Sequence, residues 1–243
     1  MIDHRYDGAA KTDAGAVRKH NEDAFLQRPE HGLWAIADGM GGHLRGDHAS
    51  RTVVDALARG HHPEAEPAAI EEIRARLAAA HRSLLTDAAG LGDGAVIGAT
   101  VVVLLLRDGR YTCLWAGDSR LYLLRDGALR QLTRDHSYVQ RLIDSGSLTP
   151  EQGRRHPGAN VITRAVGASG PLELDMVQGD SRPGDVFLLC SDGLTNVVAD
   201  AEIADRLAAQ PCEAAAAALL DLALARGAPD NVTLVVLAHL ADA

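Results

Sequence analysis

The sequence predicts an α+β fold in which antiparallel β-strands are covered by long helices. Short apolar runs recur along the chain, and turn signals such as Asp108-Gly109 and Asp126-Gly127 join some of them, which favours hairpins of antiparallel strands. Amphipathic segments lie outside these runs, so helices can cover the outer faces of the sheets. The 243 residues are enough for one large domain, and no repeat or low-complexity linker divides them.

In the first half of the chain, a strand is followed by two helices. Residues 1–17 are polar with short strand character, 18–23 form a charged turn, and 33–37 form the first clear strand. In 47–59 and 68–88 the apolar residues recur every three or four positions, which predicts two helices with one buried face each. They are Val53, Val54 and Leu57 in the first segment and Ile70, Ile73, Leu77 and Leu84 in the second.

The second half contains strands, a polar interruption and two more helices. Residues 137–170 are too polar for a core and too long for a plain loop, so we interpret them as a flap over the surface with a short helix at 138–145. The predicted strands are 96–107, 110–115, 120–124, 128–132, 186–190 and 232–239, and the predicted helices after the flap are 200–209 and 212–225.

Charge and cysteine content narrow the classes of function. The formal net charge is -9, which argues against binding to nucleic acid or to anionic membranes. No apolar run approaches the ~20 residues of a membrane span, and the polar start of the chain predicts no signal peptide. The three cysteines form no Cys-x-x-Cys pair, which argues against a disulfide framework and a cysteine zinc site. We therefore expect reduced thiols and a cytoplasmic location.

Four aspartates at the boundaries of apolar runs are the main functional signal. They are Asp38, Asp118, Asp192 and Asp230. Asp38, for example, separates the apolar run 34–37 from the glycine-rich stretch 39–42. Any one of them alone is better explained as an ordinary turn, because Asp-Gly is a common turn sequence. Four together favour a centre that binds a hard divalent cation through carboxylate oxygens and a backbone carbonyl.

These ligands point to phosphoryl chemistry. Oxygen ligands without a histidine or cysteine cluster favour Mn²⁺ or Mg²⁺ over zinc. Two such ions about 3.5–4 Å apart can share one water and lower its pKa for in-line attack on phosphorus. Arg18, just before Asn21-Glu22-Asp23, is the candidate phosphate ligand because a guanidinium donates two parallel hydrogen bonds. A solvated surface arginine is the alternative interpretation of Arg18.

Seven short motifs occur in a fixed order along residues 13–237. They are Arg18 with Asn21-Glu22-Asp23, Ala37-Asp38-Gly39-Met40-Gly41-Gly42, Gly98-Ala99-Thr100, Ala116-Gly117-Asp118-Ser119-Arg120, Leu132-Thr133 with Asp135-His136-Ser137, Ser191-Asp192-Gly193-Leu194, and Asp230-Asn231-Val232-Thr233. Each motif alone is weakly specific, but the ordered set is highly specific. The set resembles the bacterial branch of the PP2C-type (PPM) metal-dependent Ser/Thr protein phosphatases.

The resemblance implies a fold and a cofactor. The implied fold is a four-layer α-β-β-α sandwich of two antiparallel sheets flanked by helices. One catalytic domain would cover 1–243, with the flap at 137–170 beside the site. The implied cofactors are two Mn²⁺ or Mg²⁺ ions at one end of the sheets and a third, weaker ion.

The resemblance also implies a role for each site residue. Asp38 would bridge the two main ions, and Arg18 would hold the substrate phosphate. The other implied ligands are Asp192 and Asp230 on the first ion, the Gly39 carbonyl on the second, and Asp118 with Asp192 on the third. The supporting residues are Glu22, which would act through a bound water, Asp23, and Asn231 behind the ligands.

Met40 is one departure from the family pattern. Animal members carry a histidine at this position, directly after the Asp-Gly pair, which is proposed as the general acid for the leaving alkoxide. A serine or threonine alkoxide is a poor leaving group, so a proton donor is still useful. We expect a metal-bound water to supply the proton, with His43 as a weaker alternative.

The implied activity is metal-dependent hydrolysis of phosphoserine and phosphothreonine in proteins by a metal-activated water, in opposition to a Ser/Thr kinase. The alternative is a non-catalytic regulator that binds phosphoproteins on the same fold. Such modules typically lose aspartates or the phosphate arginine, and here all are present. A further alternative is the same enzyme acting on regulators such as anti-sigma antagonists, but relatives of that kind usually carry sensory domains.

Other phosphatase classes lack their motifs in this chain. No cysteine is followed six positions later by arginine, so the cysteine-phosphatase mechanism is excluded. The expected partners are phosphorylated Ser/Thr proteins and a cognate Hanks-type Ser/Thr kinase, with no nucleic acid and no membrane. We expect a monomer.

Overall fold

Two antiparallel sheets form the centre of the fold. The computed structural model describes residues 6–41, 45–92 and 94–240. In strand order, the first sheet contains β1 (Tyr6–Asp13), β11 (Val232–His239), β10 (Val186–Cys190), β7 (Arg120–Arg125) and β8 (Ala128–Gln131). The second contains β2 (Asp23–Arg28), β3 (Leu33–Met40), β5 (Val101–Arg107), β6 (Arg110–Ala116) and β9 (Asp175–Asp180), with the short β4 (Gly98–Ala99) paired to β3.

Helices cover the outer face of each sheet. In chain order the helices of the described residues are α1 (Gly46–Ala58), α2 (Glu66–Ala89), α3 (Tyr138–Asp144), α4 (Pro150–Arg154), α5 (Asp192–Thr195), α6 (Asp200–Ala209) and α7 (Cys212–Ala225). Buried residues of α1 and α2 pack on the second sheet, and those of α5, α6 and α7 pack on the first. Among the helices described, none has the length and apolar character needed to cross a bilayer.

Three hydrophobic layers separate the four structural layers. In β5, Val101 and Val103 point to the helices, whereas Val102 and Leu104 point to the other sheet. Successive side chains of a strand point to opposite faces of the sheet, which produces this alternation. Because both faces of β5 are buried, residues 101–106 are all apolar. The predicted α-β-β-α sandwich is therefore confirmed, with a core between the sheets that includes Phe187.

Several predicted boundaries are correct to the residue. The predictions 186–190, 200–209, 212–225 and 232–239 coincide with β10, α6, α7 and β11. The single strand predicted over 96–107 is wrong, because the chain breaks into β4 and β5 at Thr100. The amide of Thr100 donates instead to the Asp38 carbonyl at 2.8 Å, which places this residue between two sheet pairings.

The elements absent from the prediction are mostly polar or very short. The strands are β2 and β9, which lie at the edges of the second sheet; β9 alternates between exposed and half-buried residues. The helices are α4 and α5, of five and four residues. Edge strands need no apolar alternation because one side of the strand meets solvent, so hydrophobic periodicity does not reveal them.

The segment 137–170 contains α3 and α4 and few sheet contacts. Ser137 caps α3, since its hydroxyl accepts from the Gln140 amide at 3.1 Å. A capping box formed by Thr149 and Gln152 starts α4. Isolated bridges join Ser137 to Ile162 within the segment and Val166 to Ala99 of the second sheet.

Candidate metal centre

The predicted carboxylates converge from both sheets. Asp38 lies in β3 of the second sheet and pairs in register with Asp23 of β2. Asp192 begins α5 directly after β10, and Asp230 stands just before β11 of the first sheet. Asp118 follows β6 in the link to β7. One prediction is corrected: the strand predicted to end at residue 37 runs on to residue 40, so Asp38 is held inside a strand and not in the following loop.

Burial and mutual repulsion raise the pKa values of Asp23, Asp38, Asp118 and Asp192. Burial is the main cause that raises the pKa of Asp23 to about 7 and that of Asp118 to about 8. The pKa of Asp38 lies well above its usual value, first because the side chain is buried. The charges that raise it further belong to Asp23, Asp192, Asp118 and Asp230. The same charges would be stabilised by a bound cation.

Two glycines open a narrow space beside the Glu22 carboxylate. A Cβ at Gly39 would lie 2.0 Å from the Gly46 carbonyl oxygen. A Cβ at Gly46 would lie 2.7 Å from a Glu22 carboxylate oxygen and 2.8 Å from the Gly39 oxygen. The Gly39 carbonyl and the Glu22 carboxylate therefore border the same space, which any larger side chain at either glycine would fill.

Asn231 holds the loop that carries Glu22 and Arg18. Its side-chain nitrogen donates to the carbonyls of Ala14 and His20, each at 2.9 Å. Its side-chain oxygen accepts from the Glu22 amide at 2.8 Å. With all its polar atoms used in this way, buried Asn231 acts as a support for the loop, in line with its implied place behind the ligands.

Arg18 lies at the open side of the carboxylates. Its Nη2 donates to Asp230 Oδ2 at 2.8 Å, and its side chain is 53% exposed. The hydrogen bond and the charge of Asp230 raise the pKa of Arg18, with smaller contributions from Glu22 and Asp38. The guanidinium is therefore beside the cluster and accessible to a phosphate arriving from solvent.

Thr100 links the Asp38 strand to the Asp118 loop. Its Oγ1 accepts from the Asp38 amide at 3.2 Å and lies 2.7 Å from the Ser119 hydroxyl. Gly117 adopts φ +118°, and a Cβ there would lie 2.5 Å from the Thr100 Cβ. Thr100 belongs to one of the sequence motifs, but its role depends on contacts across the sheet that the sequence does not reveal.

The arginine nearest to Asp118 in sequence is neutralised by a different carboxylate. Arg120 donates through Nε and Nη2 to both oxygens of Asp135, at 2.7–3.1 Å. Its Nη1 donates to the Tyr122 hydroxyl at 2.9 Å. Since Arg120 is occupied, its charge lowers the pKa of Asp118 only weakly against burial and the repulsion from Asp192 and Asp135.

The oxygen donors fit Mn²⁺ or Mg²⁺ that retain water ligands. Asp23 Oδ1 is buried without a hydrogen-bond partner, whereas Oδ2 accepts from the Ser191 hydroxyl at 2.8 Å. Within the described ranges, no three His, Cys, Asp or Glu side chains are close enough to form a ligand set by themselves. Mg²⁺ commonly uses one or two carboxylates and several waters, so a complete cage of protein ligands is not required.

A cleft of about 660 Å³ adjoins the cluster. Asp118 and Asp192 lie on its wall, with Gln140 and Asn160 from the flap segment and Ala199 before α6. The cleft therefore offers space for a polypeptide beside the carboxylates.

The metal-bound water and His43, the proton donors expected in the absence of a histidine at position 40, stay predictions. Met40 pairs with Gly98 in the sheet, and its methyl group lies 2.9 Å from the position that a Gly98 Cβ would take. A thioether has no proton to donate, so Met40 is no general acid. His43 lies outside the described residues.

The thiols take no part in the site. Cys113, Cys190 and Cys212 are free and buried. Burial raises the pKa of Cys190 to about 12 and that of Cys212 to about 11. Protonated thiols are poor nucleophiles, which agrees with the exclusion of a cysteine mechanism.

Comparisons with known proteins agree with the geometry. The family profile described as Protein phosphatase 2C matches residues 4–226. The serine/threonine protein phosphatase PstP of Mycobacterium tuberculosis is 39% identical over 230 residues, which are 94% of this chain and 44% of that protein. The chain thus spans less than half the length of that relative.

Solved structures resemble the whole described fold. The structure of PppA, "a key regulatory component of T6SS in Pseudomonas aeruginosa", has a TM-score of 0.89 at 45% identity and covers 96% of this chain and 97% of that chain. The catalytic domain of PstP "in complex with 2 Manganese ions" has a TM-score of 0.87 at 36% identity and covers 97% of this chain and 99% of that chain.

Proposed function

We propose that this chain, which belongs to the protein phosphatase 2C family, hydrolyses phosphoserine and phosphothreonine in proteins with the help of two Mn²⁺ or Mg²⁺ ions. The observation that carries the proposal is the convergence of Asp38, Asp192 and Asp230 from two sheets beside Arg18. The two manganese ions in the PstP catalytic domain support the same choice of cofactor.

The proposed roles of the carboxylates follow from their places. Asp38, which the charges of all the neighbouring aspartates affect, would contact both main ions. Asp192 and Asp230 would complete the first ion site. The Gly39 carbonyl, with Glu22 and Asp23, would serve the second, and Asp118 with Asp192 would hold a third, weaker ion. When bound, the ions lower the pKa of a shared water and offset the negative charge of the phosphate.

Arg18 would bind and orient the substrate phosphate. Its guanidinium can donate two parallel hydrogen bonds to phosphate oxygens, and the present bond to Asp230 holds it at the open side of the site. Asn231 would keep Arg18 in place by fixing the carbonyls of Ala14 and His20 on either side of it.

The direct test is manganese-dependent release of phosphate from phosphoserine and phosphothreonine peptides. Purified protein with excess Mn²⁺ should release phosphate, and EDTA should abolish the release, because without ions no acidified water is available. Arg18→Ala should raise KM for the peptide, with Arg141→Ala on the flap segment as an arginine control distant in sequence. No activity with Mn²⁺, together with phosphopeptide binding that EDTA leaves unchanged, would support the non-catalytic regulator instead.

The partners and context of the reaction are also proposals. We propose one catalytic domain over residues 1–243 with 137–170 as a flap, acting as a cytoplasmic monomer in opposition to a Hanks-type Ser/Thr kinase. The reduced, buried cysteines support the location. The similarity to PppA makes a kinase that acts on secretion machinery the first candidate partner, to be tested by dephosphorylation of that kinase and its substrates.

A further inference from the structure

The segment 132–137 is hydrogen-bonded to residues 117–121, which comprise the loop that carries Asp118 and the start of β7. Its sequence belongs to one of the ordered motifs, but neither the ligand set nor the phosphate site uses it. The contacts are Leu132 N to Leu121 O at 2.8 Å, Leu121 N to Thr133 Oγ1 at 3.1 Å, Arg120 to Asp135, and a pair of bonds between Gly117 and His136. The segment therefore forms a support under residues 117–121.

His136 makes the contacts nearest to Asp118. Its amide donates to the Gly117 carbonyl at 2.9 Å, and the Gly117 amide donates to His136 Nδ1 at 3.2 Å. Because an amide can only donate, Nδ1 must be unprotonated, and the ring proton is on Nε2. The ring is stacked on Trp115, with centroids 5.9 Å apart and planes 12° apart, so its orientation is fixed.

The opposite edge of the same ring faces the flap. Nε2 lies 3.1 Å from Asp175 Oδ2, and Arg164 of the flap donates to the other oxygen of Asp175 at 2.6 Å. Arg164 Nη1 is 3.4 Å from Nε2, but both atoms are donors, so Asp175 is the acceptor that they share. The Thr163 amide also donates to the His136 carbonyl at 2.7 Å.

We propose that His136 is a positioning residue that holds the Asp118 loop with one edge of its ring and the flap with the other. It is 9% exposed and bonds on one side to Gly117 and on the other to Asp175 and, through it, Arg164. Both Asp118 and the flap line the cleft. A polypeptide bound there would therefore contact both of the segments that His136 holds. The effect of these two contacts on KM and kcat rests on the proposed function, whereas the contacts themselves do not.

Two substitutions of His136 test the contacts of the two ring edges separately. His136→Asn keeps an acceptor near the position of Nδ1 but cannot reach Asp175. His136→Gln keeps a donor near the position of Nε2 but leaves the Gly117 amide without its acceptor. Asp175→Ala, at a residue whose side chain is 47% exposed, removes the acceptor that the ring shares with Arg164 but keeps the buried histidine itself, and it serves if either histidine variant fails to fold.

The first measurement is hydrogen–deuterium exchange of the full chain with excess Mn²⁺. In His136→Gln the amides of 117–121 should exchange on the order of tenfold faster, the size expected for one lost hydrogen bond, while 163–164 stay protected. In His136→Asn and Asp175→Ala, the amides of 163–164 should exchange faster, and those of 117–121 should stay protected. Equal changes at both ends in every variant, or no change at either, would overturn the proposal that each edge of the ring holds one of the two segments.

The second measurement is turnover of a phosphopeptide. His136→Gln should lower kcat by about tenfold, and His136→Asn and Asp175→Ala should raise KM by a similar factor with kcat nearly unchanged, consistent with one lost hydrogen bond. Loss of kcat in all three variants would contradict the separate roles of the two edges. A wild-type protein without phosphatase activity would refute the proposed function, whereas the exchange experiment would still decide whether the connection exists.

His81 provides a matched control. It is also a buried histidine, with Nδ1 accepting from the Gly167 amide at 2.9 Å and Nε2 3.0 Å from the Gly170 carbonyl. It thus holds the end of the flap segment to α2 but has no bond to residues 117–121. His81→Asn should leave exchange of 117–121 within twofold of wild type, and faster exchange there would show that any buried histidine has the same effect.

Discussion

At the residue scale, the aspartates of the candidate site differ in their hydrogen-bond partners. Asp192 accepts from the Asn196 side chain at 3.1 Å at the start of α5, whereas Asp230 pairs with Arg18. Asp118 lies in a loop that Thr100, Ser119 and the segment 132–137 hold in place. These differences predict unequal effects when the carboxylates are replaced one at a time.

Asp192→Asn should lower kcat on a phosphopeptide by two orders of magnitude or more, because an amide lacks the charge that a shared cation ligand supplies. Asp118→Asn should have a smaller effect, on the order of tenfold or less, if its ion is auxiliary. Steady-state kinetics over a range of Mn²⁺ concentrations would measure both. An undiminished rate for Asp192→Asn would remove that residue from the proposed site.

At the residue scale the sequence predicts candidate ligands and some of their supports, but not the contacts through which the supports act. An aspartate at the boundary of an apolar run can be recognised from the sequence alone, so Asp38, Asp118, Asp192 and Asp230 could be predicted. Thr100 and Asn231 act through backbone groups far away in sequence, such as the amide of Asp38 and the carbonyl of His20. The ordered motifs contain both residues, and the resemblance places Asn231 behind the ligands, but neither gives the contacts that these side chains make.

At the scale of elements, burial on both faces decides which strands the sequence reveals. β5, β10 and β11 lie inside the sheets and are apolar over most of their length, and two of them were predicted to the residue. β2 and β9 lie at sheet edges, where polar residues are tolerated, and their patterns resemble those of loops. The length of β3 was underestimated because Asp38, Gly39 and Met40 continue the strand with residues of low strand preference.

The core between the sheets should dominate stability. Leu104→Ala should reduce the free energy of unfolding by about 2–5 kcal/mol, as is typical of a large-to-small change in a close-packed core. Urea unfolding followed by circular dichroism would measure the change. Val17→Ala, at a residue that is 68% exposed, is the control and should change stability by no more than about 0.5 kcal/mol; a similar loss in both variants would contradict the layered packing.

At the scale of the whole molecule, the converging carboxylates link stability to pH and to metal. In the folded chain the pKa is about 7 for Asp23 and about 8 for Asp118, both above the ~3.9 of an unfolded aspartate. The folded state therefore binds more protons than the unfolded state between about pH 4 and pH 8. Over that window these groups destabilise the metal-free fold progressively as pH rises.

EDTA-treated protein should accordingly become less stable from pH 5.5 to pH 8. Each pKa unit of difference corresponds to about 1.4 kcal/mol per group. Excess Mn²⁺ should reverse the trend, because metal binding requires deprotonated ligands and stabilises the folded state. Urea unfolding at three pH values with EDTA or with Mn²⁺ would test both; a metal-free stability that rises with pH would contradict the assigned pKa directions.

The contact between the two sheets has a consequence for ion selectivity. Asp38 belongs to one sheet, whereas Asp192 and Asp230 stand at the strand ends of the other. Trp34, Phe187 and their neighbours fill the space between the sheets. The volume of these side chains sets the distance between the sheets, and hence the distance between the carboxylate of Asp38 and those of Asp192 and Asp230. Since Mg²⁺ is small and strict in its geometry, we expect the packing between the sheets to influence which ion the proposed centre prefers, although these side chains would not contact the ion.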